Sequence, residues 1–158
     1  MGRTAKDYYL DQLEELLSAD RASRDATARM AELTDGELKT ALDNGVCGIR
    51  EGIGIVEDVL SDHHRPLDGR RNAGMDGLVA DTERDVISGR FETDDARDDA
   101  IVMQFQRFTH FGLASYAALV AQATRMGLGK DAGRLQTCLD NARDGRDEMQ
   151  KLLDKRAG

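Results

Sequence analysis

Apolar residues recur along this chain at steps of three and four, the period of a helix that buries one face, and no stretch alternates as a strand does. Five helical segments follow from that pattern. The first covers about 6–33, with Tyr9, Leu10, Leu13, Leu16, Leu17, Ala28 and Ala31 near helical spacing; Thr4 is placed to cap it, with Asp7 three residues on. Thr34-Asp35-Gly36 breaks the chain, and Asp35 is the expected cap of a second helix over about 36–62, carrying Leu38, Leu42, Ile49, Ile53, Val56, Val59 and Leu60. Pro66 cannot continue a helix without cost, so 63–69 reads as a loop. A shorter helix spans about 73–88, with Gly89 as its stop. Thr93 and the acidic pair behind it open a fourth helix over about 95–126, with Ile101, Phe105, Phe108, Ser115, Leu119 and Gln122 on one stripe. Gly127-Leu128-Gly129 ends it, and a fifth runs over about 130–155 with Leu135, Cys138, Ala142, Gly145, Met149, Leu152 and Leu153.

These lengths and connections predict an all-α fold. Short turns make the first helix pair with the second and the fourth with the fifth, as antiparallel hairpins. The long linker between them, holding the short helix, allows a crossover. Two hairpins and one crossover define the ferritin-like four-helix bundle. The whole chain, 1–158, reads as a single domain, and 158 residues suffice for a real core.

Composition narrows the function. Charged residues make up 33 % of the chain and the net charge is -8, so a phosphate backbone would be repelled and nucleic acid is not an expected partner. The dense basic clusters, His64-Arg65 with Arg70-Arg71 and the stretch 151–156, are read as solvated. No run approaches the roughly 20 apolar residues that span a bilayer, and the N-terminus lacks a signal-peptide apolar region, so the expected location is the cytoplasm. Cys47 and Cys138 fall on different helices without a C-x-x-C spacing; both are expected to be buried apolar residues. No G-x-S-x-G, P-loop, G-x-G-x-x-G or H-E-x-x-H occurs, which leaves catalysis by the chain's own side chains without a motif.

One stretch stands apart. Residues 107–116 read RFTHFGLASY, and Gly112 falls where the helix should point inward, at a cost of roughly 1 kcal/mol in helix propensity. This segment resembles the E-H-Y-E core helix of the YciF-like (DUF892) ferritin-like bundles. Met30-Ala31-Glu32, Glu37-Leu38-Lys39, Gly74-Met75-Asp76-Gly77-Leu78-Val79, Arg107 with His110 and Tyr116, and Leu139-Asp140 extend the resemblance over nearly the whole chain, in the family's order. The resemblance implies a bacterial, stress-associated protein, a homodimer, and a diiron-type centre whose carboxylates offset two buried cations.

Carried onto this chain, the family's ligands are mostly gone. Its first-helix Y-D-A-E becomes Leu17-Ser18-Ala19-Asp20, so Asp20 keeps a carboxylate on a shorter stem. The second-helix E-E-T-x-x-H becomes Cys47-Gly48-Ile49-Arg50-Glu51-Gly52, and E-H-Y-E becomes Thr109-His110-Phe111-Gly112. The fifth-helix D-E-E-K-x-x-D becomes Asp140-Asn141-Ala142-Arg143-Asp144-Gly145-Arg146, and again the core donors are missing. Too few donors remain for a dinuclear centre. The leading expectation is therefore a non-enzymatic bundle with a degenerate metal site and no cofactor. One alternative keeps residual iron or manganese on a repositioned set, Asp20, Glu51 and His110, with weak oxidase, peroxidase or storage activity. Another is a small-molecule carrier using the central gap.

Two questions stay open at the level of sequence. Gly45, Gly48, Gly52, Gly112, Gly145 and Ala142 either let the helices close together or leave a cavity where the metals would have been. Asp20 requires a partner if buried, with Arg24, Arg146 or His110 as candidates for a structural ion pair. His110 is otherwise read as a hydrogen-bonded structural residue and His63-His64 as surface residues. Tyr116 is expected to pack in the core or a groove, and Phe105, Phe108 and Phe111 in the core or a dimer contact.

Overall fold

The computed structural model describes residues 2–158, and its elements are helices throughout: α1 Ala5–Ala31, α2 Gly36–Asp62, α3 Ala73–Thr82, α4 Asp94–Arg125 and α5 Gly129–Ala157. Their ends carry the expected chemistry. Thr4 and Asp7 form a reciprocal capping box, Asn72 accepts from the Met75 N–H at 2.8 Å, and Thr93 accepts from the Ala96 N–H at 3.1 Å. Gly127, at φ 74°, takes the left-handed turn that closes α4. Asp35 occupies the N-cap of α2 but makes no side-chain bond there. The third helix departs from the expected 73–88 segment: Glu83–Ile87 widens into a π-helical turn, in which the Ser88 N–H reaches the Glu83 carbonyl five residues back.

The four long helices form a closed ring of neighbours, α1 with α2, α2 with α5, α5 with α4, and α4 back to α1, while α3 and its π turn lie over the α1–α4 seam. Contacts at the two ends fix the directions. At one end Tyr9 and His63 both reach Asp131, joining the start of α1, the end of α2 and the start of α5. At the other, Lys155 holds Glu37 and Arg156 holds Asp99, joining the end of α5 to the starts of α2 and α4. Adjacent helices therefore run antiparallel, and the crossover carries the chain from one end of the bundle to the other. Among the described residues no helix is long and apolar enough to cross a membrane.

The core is split. One apolar cluster, including Leu13, Leu17, Val56, Leu60, Leu119 and Leu135, fills the end near the chain's start. A second, including Met30, Leu42, Met75, Ile101, Phe105 and Met149, fills the end near α3. Burying each such side chain stabilises the fold by about 1.5–3 kcal/mol. In α1 the stripe drifts from the expected one: Ala26 and Met30 are buried, and Ala28 is only half-buried. Between the two clusters lies the polar, glycine-rich middle.

Candidate functional site

The middle of the bundle holds a cavity of about 250 Å³, walled by α2, α4 and α5 and reaching Asp20 of α1. The small residues divide into two kinds. A Cβ on Gly45 would lie 2.6 Å from the buried Phe105 ring, and one on Gly52 would lie 3.2 Å from the Tyr116 hydroxyl, so these two glycines serve close approach. A Cβ on Gly112 or Gly145 would meet nothing within 4 Å. Those positions are open space, so close packing does not account for Gly112.

Asp20 is 7 % exposed, and its Oδ2 accepts a short hydrogen bond from the Tyr116 hydroxyl. None of the expected cations meets it. Arg24 turns to Asp25 at 2.9 Å, Arg146 to Asp147 at 2.9 Å, and His110 is exposed. The expected ion pair is thus replaced by a neutral donor, because helical geometry points both arginines outward. Burial without a counter-charge pushes the Asp20 carboxyl up to about 7, against the smaller opposing effect of the Tyr116 bond. Burial likewise raises Tyr116 well above the usual phenol range and Cys138 to about 12. At neutral pH the phenol and thiol are therefore protonated, and neither is an activated nucleophile.

Of the fallback metal set, Asp20 is buried, whereas Glu51 on α2 and His110 on α4 are exposed. Among the described residues no three His, Cys, Asp or Glu side chains converge as a metal-binding group. The donor set does not fit a dinuclear centre, which needs several carboxylates around one dry volume.

Other residues at the cavity carried weaker signals in the sequence. Asn141, noted in the sequence only through the family resemblance, lines the cavity with its Nδ2 buried and without a hydrogen-bond partner. Asn44 and Glu148 sit at the cavity edge, joined at 3.2 Å. Phe105 and Phe108 are core residues as expected, and they also form one wall.

Three expectations outside the cavity are corrected. Arg65 is not solvated: it binds Asp11 and, at 2.9 Å, Glu14, both buried in α1, while Arg70 joins both carboxylates at 3.1 Å. His63 is no free surface residue, since its Nε2 lies 2.7 Å from the buried Asp131 carboxylate, which also accepts from Tyr9. Cys47 is exposed, whereas Cys138 is buried.

An all-helical bundle with antiparallel neighbours and a polar mid-bundle gap is the class that fold and site define. The family described as "Domain of unknown function (DUF892)" matches residues 4–158, and the chain belongs to it. It is 25 % identical over 140 residues to protein YciF of Escherichia coli (strain K12), across 87 % of this chain and 83 % of that protein. The crystal structure of the E. coli stress protein YciF superposes with a TM-score of 0.87 at 23 % identity, over 96 % of this chain and 95 % of that one. YcfI from Rhodopseudomonas palustris, described as a putative structural protein, superposes at 0.86 and 22 % identity, over 94 % of each chain. Family and helical fold are thereby shown together.

Proposed function

We propose that this protein is a non-enzymatic ferritin-like bundle that has exchanged a dinuclear metal centre for a small-molecule cavity, and that it acts as a binder or carrier. The observation that carries the reading is the pairing of open glycine positions at Gly112 and Gly145 with a single buried carboxylate, Asp20. A side chain missing from a packed core leaves room that must be closed, hydrated or occupied. Here the helices stay apart. The protonated Tyr116 and Cys138 offer hydrogen-bonding and packing surface rather than a reactive group.

Elemental analysis of protein purified without chelator tests the metal half of this reading. Iron and manganese far below one ion per chain are expected; about two per chain would overturn it. The E. coli relative is described as a stress protein, which supports a stress-associated role for this chain. A cytoplasmic location fits the lack of a membrane-crossing helix among the described residues. Self-association as a homodimer belongs to the same proposal and is read directly by light scattering, where a monomer at working concentration would remove it.

A further inference from the structure

The cavity's charge is one-sided. Its lining includes three carboxylic acids, Asp20, Asp144 and Glu148, and no lysine, arginine or histidine. Among the described residues none of the three takes part in a salt bridge: Asp20 meets Tyr116, Glu148 meets Asn44, and the neighbouring Arg143 and Arg146 turn to Asp140 and Asp147. Asp20 is the exception among the buried acids of the described residues, since Asp11, Glu14 and Asp131 each have a cation. Asp20 is nine-tenths buried, and the hydrogen bonds of the described residues leave its Oδ1 without a donor. Asn141, which lines the same cavity, has its Nδ2 buried without a partner. Two buried polar groups, a missing counter-charge and an aromatic wall together describe a guest rather than a packing defect.

We propose that the cavity takes a small protonated organic amine, its ammonium against the Asp20 carboxylate and its carbon skeleton against Phe105 and Phe108. This deepens the carrier reading and rests on it. An ammonium supplies both the donor that Oδ1 lacks and the positive charge that burial withholds from Asp20. The Phe105 and Phe108 rings supply apolar surface for the carbon skeleton. Asn141 adds polar surface to the wall, and Asp144 and Glu148 add negative potential. The volume equals that of on the order of eight waters, enough for a guest of benzylamine size. A bare divalent ion would find one buried carboxylate and lack the remaining ligands it requires.

An isosteric series on the full chain tests the assignment by calorimetry: benzylamine as cation, benzyl alcohol as neutral analogue and benzoate as anion. Benzylamine is expected to bind at least about tenfold more tightly than benzyl alcohol, the margin of one charge-assisted hydrogen bond, with no benzoate binding. Asp20→Asn, which keeps an acceptor for Tyr116, should erase the preference. Gly112→Leu, aimed into open space, should abolish binding of both the amine and the alcohol while circular dichroism shows the helices intact. Equal affinity for amine and alcohol, or a preference that survives Asp20→Asn, would overturn the amine and leave the carrier reading standing. No binding by any probe would overturn both. Two tightly held metal ions per chain would remove the metal-free premise itself.

Discussion

Asp11 and Asp20 stand on the same helix and are both buried, yet they are solved in opposite ways. Asp11 lies 2.8 Å from Arg3 and also meets Arg65 and Arg70, the last two shared with Glu14. The Arg3 guanidinium, with Arg65 behind it, holds the Asp11 carboxyl below the usual range. Asp20 has only the Tyr116 hydroxyl, and burial lifts it to about 7. The first site is architecture: it ties the loop after α2 to α1 with paired charges, an arrangement whose value shows mainly when one partner is removed. The second keeps an uncompensated carboxylate beside open volume. The fold supplies three arginines to one buried acidic site and none to the other.

The largest effect expected from breaking this contrast is at the paired site. Arg65→Ala leaves two buried carboxylates dependent on Arg70 and Arg3, and should cost about 3 kcal/mol in denaturant unfolding, the lower end for disrupting a buried pair. A loss below about 1 kcal/mol would place this network with ordinary surface pairs and dissolve the distinction.

The unpaired site should respond to pH in the reverse sense. Asp20 is raised in the folded state from its ordinary 3.8 to about 7, so folded protein holds the proton more tightly than unfolded chain. Its stability contribution is therefore full below pH 3.8 and is lost as pH rises to about 7. Asp11, depressed when folded, contributes above the ordinary carboxylate range and loses that contribution on acidification. Asp20→Asn should accordingly stabilise the protein by up to a few kcal/mol at about pH 8 and change little at about pH 4. Parallel stability curves for variant and parent between those pH values would show that Asp20 is not held up by burial.

The glycines give a smaller pair of effects. Gly45→Ala should destabilise by about 1–2 kcal/mol, because its methyl must displace the buried Phe105 ring. Gly112→Ala meets open space and should stabilise by about 0.5–1 kcal/mol through helix propensity. Thermal unfolding of the two variants should move the midpoint in opposite directions. Destabilisation by both would mean that the centre is packed at Gly112 as well.

Periodicity and cap residues carried the helices, because a helix end and a buried stripe are local properties: Thr4, Thr93 and Gly127 do in the structure what their identities imply. The π turn at Glu83–Ile87 was not legible, since its apolar spacing differs little from that of an α-helix. At the site, the sequence pointed to Asp20, Tyr116, Gly112 and Gly145 but misplaced their partners. Arg24 and Arg146 lie near the expected stripe in sequence yet turn away from the interior, while Arg65, read as solvated, reaches across to α1. His63 was hidden for the same reason, its partner Asp131 lying on α5.

The sequence by itself determined that this is an all-helical chain of the YciF-like family, because residue identity and helical period are written in the chain. Only the tertiary structure decided whether its glycines close the bundle or open it, and which acids meet a cation. A small side chain permits contact and void equally, and the distance between facing helices is set by every other layer of the core. Gly45 came out pressed against Phe105 and Gly112 beside empty space, a distinction that the letter G does not contain.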